Sequence, residues 1–382
     1  MSEPKKKVLI VGAGIAGLTL AIILKKTGID CDIIEKKETF GPNRSGIVLD
    51  SRAFKSLQAL SLSPEIQKHA SEINFACISD HMGKTLARCN LSRISLKNCP
   101  NLSIPRGTLL KALSHYLGER EIWMNTTIQD IQNKDTDVEV TFSDGSQGNY
   151  VLVVGTDGIQ SQIRSMFFSK NIRQYAGYSC WRFLARQVEG IEPNSAFELW
   201  GRGKRFGIVP LRHGTIGCYG TFNSQPGLNY DGQEKVEKLK SQFADFGGIV
   251  PEILEQIHHP NDILFDDIQN VYLNSWINGR ILLIGDAAHA LTPNFGQGAG
   301  LAIEDAARIS QYLNFSSTLL SGLSKFDSRE KNRVRKIQYY AHQLGRFAQM
   351  SSWIGCAIRN LVIRIIPNYV LLKTAKRAFF KE

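Results

Sequence analysis

A glycine-rich turn near the start of the chain constrains the fold more than any other feature. Residues 7–12 (KVLIVG) form a short apolar run that ends in glycine, which predicts a buried parallel strand. Residues 15–27 have helical spacing, and residues 31–35 (CDIIE) predict a second strand. The turn between the first strand and the helix is Gly12-Ala13-Gly14-Ile15-Ala16-Gly17. This order predicts the βαβ unit that begins a dinucleotide-binding domain.

Each glycine of this turn has a physical role. Gly12 allows the tight turn, Gly14 lets a pyrophosphate approach the backbone, and Gly17 lets helix and strand pack closely. The phosphates would then lie at the positive N-terminal end of the helix. Glu35, 18 residues beyond Gly17, can accept hydrogen bonds from both ribose hydroxyls. We predict that residues 12–17, Glu35 and Lys36 bind an ADP-containing dinucleotide, either FAD or NAD.

A second glycine-rich loop follows far along the chain. Residues 280–284 (RILLI) predict a buried strand, and Gly285-Asp286 comes directly after it. Pro293 and then Gly296-Gln297-Gly298-Ala299-Gly300 lead into a predicted helix at 299–313. A carboxylate at the strand end, Asp286, can hold a ribityl hydroxyl, and the helix N-terminus can stabilise negative charge on a reduced flavin. An ordinary NAD dehydrogenase needs no such loop, so the pair of loops favours a flavin.

The middle of the chain has a different residue pattern. From about 174 to 223, aromatic, β-branched and glycine residues alternate, which predicts an antiparallel sheet. We predict an α/β fold in which a Rossmann-like FAD-binding domain is interleaved with an antiparallel-sheet substrate domain and followed by C-terminal helices. The predicted boundaries are 1–72, 100–173 and 276–325 for the first domain, 73–99 and 174–275 for the second, and 326–382 for the helices.

Composition and charge limit the possible location and binding partners of the protein. The seven cysteines include no C-x-x-C pair and no metal-ligand spacing, and neither a signal peptide nor a long apolar span is recognisable, so we expect a cytoplasmic protein without a metal. The net charge is +11, and residues 325–382 contain 13 basic and 3 acidic residues. That excess predicts either a solvated helical face or contact with an anionic cofactor or a membrane surface. No nucleic-acid-binding motif accompanies it.

Two weaker elements complete a recognisable pattern. Thr156-Asp157-Gly158 follows a predicted strand end, and Arg106 begins a predicted helix at 106–117. The order GxGxxG, Glu35, Arg106, Asp157 and GDAAHxxxPxxGQGAG resembles the single-component FAD-dependent aromatic hydroxylases, the group A flavoprotein monooxygenases. The resemblance covers residues 7 to about 310. Residues 177–182 and 198–206 resemble the branch that contains salicylate hydroxylase, zeaxanthin epoxidase and urate hydroxylase.

The resemblance implies a role for each matching position. Gly12, Gly14 and Glu35 would bind the adenosine half of FAD, and Arg106 the ribityl–phosphate region. Asp157 would support FAD and the nicotinamide nucleotide, and Asp286 the ribityl chain. The flavin ring would face the loop that contains Pro293, Gly296, Gly298, Ala299 and Gly300, and Arg44 would contact the cofactor. The substrate wall would include Arg205, Trp181, Trp200, Tyr219, Pro293 and Phe295. No catalytic base is identifiable.

The resemblance also implies the chemistry. NADPH or NADH would reduce FAD as a transient co-substrate, and the reduced flavin would capture O2 as a C4a-hydroperoxide. Its distal oxygen atom would be delivered to a small aromatic or polyene substrate, and the other oxygen atom would leave as water. A reductase or oxidase of similar fold that inserts no oxygen is the alternative. In the urate-hydroxylating branch a tyrosine follows the substrate-contacting arginine by twelve residues, whereas this chain has Gly217 there. Urate is therefore disfavoured. Peripheral membrane contact through the basic C-terminal helices is a further hypothesis.

Overall fold

The elements described here come from a computed structural model, which describes residues 7–41, 44–118, 121–168, 172–314, 316 and 318–373. The strands are β1 (Val8–Val11), β2 (Cys31–Ile34), β3 (Gly46–Leu49), β4 (Ser71–Glu72), β5 (Phe75–Asp80), β6 (Thr85–Asn90), β7 (Leu102–Pro105), β8 (Ile122–Trp123), β9 (Ile128–Asn133), β10 (Val138–Phe142), β11 (Gln147–Tyr150), β12 (Leu152–Gly155), β13 (Arg173–Arg186), β14 (Ser195–Trp200), β15 (Lys204–Pro210), β16 (Thr215–Asn223), β17 (Leu264–Val271), β18 (Ile277–Asn278) and β19 (Ile281–Leu283). The helices are α1 (Ile15–Lys26), α2 (Ser51–Ala59), α3 (Ser63–His69), α4 (Arg106–Leu117), α5 (Gln162–Phe167), α6 (Glu234–Gln242), α7 (Val250–Glu255), α8 (Asp286–His289), α9 (Gly298–Asn314), α10 (Leu319–Ala348) and α11 (Trp353–Ile365).

A mainly parallel sheet positions both glycine loops. Its strand order is β18-β19-β12-β1-β2-β8, with β1 parallel to its neighbours β2 and β12, and β19 parallel to β12. All four residues of β1 are buried, as the continuous apolar run predicts. Because parallel strands end at one edge, the loops after β1, β2, β12 and β19 meet there. The predicted βαβ start and the predicted strand at 280–284 are confirmed.

One predicted hairpin needs a correction. Asp144-Gly145 is a strong hairpin-turn signal in the sequence, and it predicts a hairpin of strands at 136–143 and 149–154. The turn does join β10 to β11, but the second segment is two strands, since β11 ends at Tyr150 and β12 begins at Leu152. β12 leaves the hairpin and pairs with β1 in the parallel sheet. The apolar run Leu152–Gly155 is therefore a buried strand, and all four of its residues are buried.

The predicted antiparallel sheet is confirmed for strands β13 to β17, and β5 extends it as a strand parallel to β14. Its seven strands run β17-β13-β16-β15-β14-β5-β6. Side chains alternate between its two faces. One face carries Trp181, Phe206 and Leu199, which pack with residues of α6 and α7 in a core cluster. The opposite face carries polar side chains from four neighbouring strands, and those side chains form part of the candidate site. The division of the chain at the predicted domain boundaries stays a prediction.

A small third sheet, β3-β7-β4, lies against the polar face of the large sheet. A Cβ atom added to Gly217 on β16 would lie 3.0 Å from Gly46 Cα on β3. The two backbones therefore approach closely where neither residue carries a side chain. The fourth sheet is β11-β10-β9.

The C-terminal helices pack against both large sheets. Gln338 of α10 donates hydrogen bonds to the carbonyl oxygens of Val271 (2.9 Å), His289 (3.2 Å) and Ala290 (3.1 Å). A buried ion pair joins α9 to α10, with Glu304 and Arg333 2.8 Å apart, and Arg333 also pairs with Glu330 of its own helix at 2.8 Å. The long helix thus fixes the loop that follows β19.

Candidate active site

The first glycine turn is held rigidly by backbone contacts. Gly12 has φ +106°, and an added Cβ would lie 2.8 Å from the Thr156 carbonyl oxygen. A Cβ on Gly17 would lie only 2.0 Å from the Gly12 carbonyl oxygen, so the third glycine permits the contact between helix and turn. The Thr156 hydroxyl donates to that same carbonyl at 2.6 Å. Gly14 differs, since its added Cβ would approach only the Thr156 carbonyl oxygen, at 3.8 Å.

Two carboxylates lie beside this turn. Glu35 Oε2 accepts a hydrogen bond from the Ala13 N–H at 3.0 Å, and Oε1 accepts one from the Lys37 N–H at 3.1 Å. Asp157 Oδ2 accepts from the N–H groups of Gln162 (2.7 Å) and Ile163 (3.2 Å), which begins α5. Burial raises the pKa of Asp157 against these hydrogen bonds. Both carboxylates are fixed by backbone groups next to Gly12–Gly14, while the neighbouring Lys36 is exposed.

The second loop contacts the first. Gly285 has φ +61°, and an added Cβ would lie 3.3 Å from Ala16 Cβ at the start of α1. Asp305 of α9 holds this loop in place. Its Oδ2 accepts a hydrogen bond from the Gly285 N–H at 2.9 Å and pairs with His289 Nε2 at 2.6 Å. His289 is buried and packs against Trp276, with ring centroids 4.7 Å apart and the ring planes tilted by 42°. His289 therefore positions the loop, and its partner Asp305 is a residue that sequence reasoning missed.

Four charged side chains define what we call the polar cleft: Glu35, Arg106, Arg182 and Asp286. Arg106 and Asp286 are both open to solvent. Enough protein surrounds them to shift their pKa values, however. Desolvation raises the pKa of Asp286, and His289, Arg106 and Arg182 oppose that change. Desolvation lowers the pKa of Arg106, while the carboxylates of Asp286 and Glu35 favour its charged form and Arg182 disfavours it.

Arg182 was not predicted to be a site residue. Burial disfavours its charge, but Cys180, Asp266 and Asp286 more than compensate and raise its pKa. Its guanidinium donates to Asp266, and its Nε is buried without a hydrogen-bond partner among the described residues. The sequence signal that could have identified Arg182 is a charged residue within the mainly apolar stretch YSCWRFLA. Arg182 links the polar cleft to the large sheet.

Two loops border the cleft. Arg44 is half-buried and precedes Ser45, whose carbonyl accepts the Arg106 N–H at 2.9 Å, so this loop lies at the start of α4. Across from it, Gly296 is left-handed (φ +65°), and its added Cβ would lie 3.4 Å from Val48 Cβ on β3. The predicted ring-facing residues Gly298, Ala299 and Gly300 therefore begin α9 beside β3.

Arg205 lies at the centre of a buried polar cluster on the large sheet. It is 2% exposed and donates three hydrogen bonds. Nη1 donates to Glu198 Oε1 (3.0 Å), Nη2 to Asn294 Oδ1 (2.6 Å) and Nε to Gln349 Oε1 (3.3 Å). The Tyr219 hydroxyl donates to the same Glu198 oxygen at 3.0 Å. Arg205 thus ties the sheet to the loop around Pro293 and to the end of α10, and Glu198 and Asn294 are partners that sequence reasoning missed.

The other predicted substrate residues separate into two groups. Tyr219 lies on the polar face directly opposite Arg182, and its ring covers Gly207. Pro293 and Phe295 flank Asn294, so they lie beside Arg205. Trp181 does not join them: it is fully buried on the opposite face and lies 4.2 Å from Phe265 by ring centroids, because successive strand residues point to opposite faces.

Trp200 is also removed from the cleft. It is 3% exposed and packs edge-on against Phe347, with centroids 6.1 Å apart, while Arg359 lies 5.3 Å from its ring centroid. The C-terminal helices therefore cover this tryptophan. We correct the substrate wall by removing Trp181 to the core and Trp200 to the helix interface.

The arrangement fits an FAD molecule. Gly14 is the N-cap of helix α1, and the helix has no side-chain cap and no acidic residue in its first turn, so its N–H groups are available to a pyrophosphate. Asp157 Oδ1 is buried and has no hydrogen-bond partner in the described part of the chain. A Cβ on Gly298 would meet no described atom within 4 Å, which leaves the N-terminus of α9 accessible. Carboxylates that can accept hydrogen bonds from hydroxyl groups and an arginine that can neutralise phosphate charge lie near these helix ends.

The fold and the site together define an FAD-dependent monooxygenase of the group A hydroxylase type. The FAD binding domain family model matches residues 5–226 and 249–322, so the chain belongs to that family.

Three similar proteins show how far the likeness extends. The chain is 32% identical over 378 residues to 2-heptyl-3-hydroxy-4(1H)-quinolone synthase of Pseudomonas aeruginosa, covering 97% of each chain. It is 27% identical over 362 residues to aurachin C monooxygenase/isomerase of Stigmatella aurantiaca, covering 94% of each. The structure of Klebsiella pneumoniae HpxO with FAD and uric acid superimposes with a TM-score of 0.89 at 22% identity, covering 98% of this chain and 96% of that one. The last likeness shows the fold alone.

Proposed function

We propose that this monooxygenase uses NADPH or NADH and O2 to hydroxylate a small aromatic substrate, with an alkylated 4-quinolone as the first compound to test. Hydroxylation or epoxidation of another aromatic or polyene compound is the wider class. The supporting observation is the juxtaposition of the polar cleft with the Arg205 cluster across one sheet face. We place the reaction in the cytoplasm.

FAD supplies the redox chemistry and the activation of O2 when it is bound. In this proposal Gly14 and the N-terminus of α1 hold the pyrophosphate, Glu35 the ribose, Arg106 the phosphate charge and Asp286 the ribityl chain. Asp157, with its unpartnered oxygen, supports the same region. These residues bind and orient, and none of them moves a proton in the reaction.

The sheet face supplies orientation for the substrate. Arg205 is fixed by three side-chain partners, one of them the ion-paired carboxylate of Glu198, so it presents a stationary and partly neutralised charge beside Pro293 and Phe295. Tyr219 contributes an aromatic surface whose hydroxyl is already donated to Glu198. An electron-rich ring with a carbonyl or phenolate oxygen suits this combination, because the cation stabilises negative charge on that oxygen.

The close packing around Gly217 supports a substrate other than urate. A side chain at this position would meet Gly46 Cα and Val209 Cγ2 at 3.0 Å from its first carbon atom. The tyrosine of the urate-hydroxylating branch therefore cannot be accommodated without moving β3. The quinolone synthase relative is 32% identical over 97% of each chain, and for this reason a 4-quinolone is the first compound to test.

NAD(P)H is proposed as a transient co-substrate. The chain contains no second GxGxxG motif, so the nicotinamide nucleotide would use a groove shared with FAD. The alternative is a reductase or oxidase that shares the cofactor site and inserts no oxygen. A reductase would form its product without O2, whereas an oxidase would consume O2 as electron acceptor and leave both oxygen atoms out of its product.

The test is a screen of phenols, hydroxybenzoates, indoles, quinolones and polyenes for stimulation of NAD(P)H oxidation, with peroxide release recorded in parallel. A hydroxylase substrate should accelerate oxidation with little peroxide. Product formation without O2 would support the reductase alternative, and an unchanged rate with every compound would refute the proposal.

A further inference from the structure

Helix α11 presents an apolar stripe to solvent. Ile354, Ile358, Leu361 and Ile365 recur at the spacing of one helical face, and they are 62%, 56%, 56% and 69% exposed. Trp353, at the start of the helix, is 70% exposed. Single exposed apolar residues are ordinary, but a contiguous apolar face of this kind marks an interaction surface. We call these five residues the α11 stripe.

The opposite side of the helix is firmly anchored, so the outward direction of the stripe is fixed. Arg359 is 1% exposed and donates from Nη1 to the carbonyl oxygens of Ala348 (2.8 Å) and Gly201 (3.2 Å). Ile363 packs with Trp200 in a small core cluster. The helix therefore cannot turn the stripe inward without breaking buried hydrogen bonds.

The segment that contains the stripe is strongly basic, and the structure places an acidic neighbour beside it, Asp80 of β5, 3.6 Å from Arg364. Between Glu330 and Glu382 the sequence contains 11 lysine and arginine residues and no aspartate or glutamate. At the N-terminal end of the helix, the exposed Arg202 donates from Nε to the Ser351 carbonyl oxygen at 3.3 Å. At the other end, Arg364 and Lys373 are exposed. An apolar face flanked by cations complements a bilayer that contains anionic lipids.

We propose that α11 lies in the plane of an anionic membrane, with the stripe inserted among the lipids and the flanking cations at the headgroups. Among the described residues, no helix is both long and apolar enough to cross a membrane. α11 itself has 13 residues and is about 20 Å long, which suits an interfacial position. In a dimer formed through α11, the basic residues of one copy would face the same basic residues of the other copy and repel them. An anionic bilayer is therefore the better match.

The location of the helix connects binding to substrate supply. α11 covers Trp200, and Trp200 is the cross-strand neighbour of Arg205. Membrane docking would thus place the rim of the substrate site near the lipids, where an alkylated aromatic compound concentrates. This consequence rests on the proposed function, whereas membrane binding itself does not.

The test is flotation of the FAD-loaded, full-length protein with vesicles of phosphatidylglycerol and phosphatidylcholine, or of phosphatidylcholine alone. The native protein should float with the anionic vesicles, and added salt should weaken this binding. The triple variant Ile358→Ser, Leu361→Ser and Ile365→Ser should lose at least about 100-fold in partition coefficient, since each buried side chain contributes about tenfold. The matched control Met166→Ser, Leu228→Ser and Leu320→Ser removes three exposed apolar residues elsewhere and should bind as the native protein does.

A spectroscopic measurement tests the geometry. Lipids brominated on their acyl chains should quench Trp353 fluorescence, and the quenching should be lost in Trp353→Phe. Equal vesicle binding by the native protein and the triple variant would overturn the proposal. So would failure of the native protein to bind, and sedimentation would then show whether a second copy covers the stripe. NAD(P)H oxidation with a water-soluble substrate, measured without vesicles, tests the function separately, so failure of either proposal is recognisable.

Discussion

Replacing Gly17 by alanine should disrupt the first glycine turn. The added Cβ would lie 2.0 Å from the Gly12 carbonyl oxygen and 2.6 Å from Thr156 Oγ1. That carbonyl is held by the Thr156 hydroxyl at 2.6 Å, and the Gly12 N–H donates to the Ile34 carbonyl at 2.8 Å. The obstacle is therefore backbone that is tied to two strands, and relief requires α1 to move away from β1.

The expected size of the effect follows from this rigidity. Overpacking typically costs 1–3 kcal/mol, and the short distance to backbone places this change at about 3 kcal/mol. With an unfolding entropy of about 2.1 cal/mol/K per residue, a chain of 382 residues should lose about 4 °C in Tm. Displacing the helix N-terminus should also weaken FAD binding by about tenfold or more.

Gly14→Ala is the matched control. Its Cβ would meet only the Thr156 carbonyl oxygen, at 3.8 Å, so the Tm of the FAD-free protein should stay within about 1 °C of the native value. FAD binding should still weaken, because the methyl group occupies the approach of the pyrophosphate. Thermal unfolding of both FAD-free variants and titration with FAD provide the measurements. A Gly17→Ala protein with native Tm and native FAD affinity would refute the reasoning.

Three further predictions concern single side chains. Asp286→Ala should weaken FAD binding at least about tenfold through loss of charge-assisted hydrogen bonds; full FAD occupancy after purification would contradict the assigned role. Asp305 is ionised at neutral pH: burial alone would raise its pKa, but His289 and the Gly285 N–H hold the pKa below its usual value. Its stabilisation is therefore present above the unfolded-state pKa of about 3.9 and is lost as the pH falls through the lower folded-state pKa. Asp305→Asn should accordingly lower Tm at pH 7, and the difference from the native protein should shrink below about pH 4; a constant difference would be inconsistent with this linkage. Arg205→Ala should retain FAD but reduce substrate stimulation of NAD(P)H oxidation about tenfold, and unchanged kinetics would remove Arg205 from the substrate site.

Local sequence signals were sufficient for much of the fold. The strand at 7–12, the helix at 15–27 and the strand at 280–284 were predictable because each combines an apolar pattern with a glycine at its end. The division of segment 149–154 into two strands was not predictable. A strand that leaves a hairpin to pair in another sheet contains the same residue types as a strand that remains in the hairpin. The pairing partner of such a strand is decided by tertiary packing.

The candidate site was predictable in its motifs and less so in its partners. Glu35 and Asp286 follow strands and could be placed at one sheet edge. Asp305 contacts His289 from another helix, and no local pattern reports such a contact. Trp181 was assigned to the wrong face of its strand, since aromatic residues on both faces hide the alternation that would separate core from cleft.

The most direct measurement of the central claim uses isotopically labelled oxygen. The purified FAD-loaded chain would be supplied with NAD(P)H, ¹⁸O2 and the compound that most strongly stimulates NAD(P)H oxidation, and the product would be examined by mass spectrometry. One ¹⁸O atom is expected in each molecule of product. A product without ¹⁸O, or one formed equally well in the absence of O2, would contradict that claim.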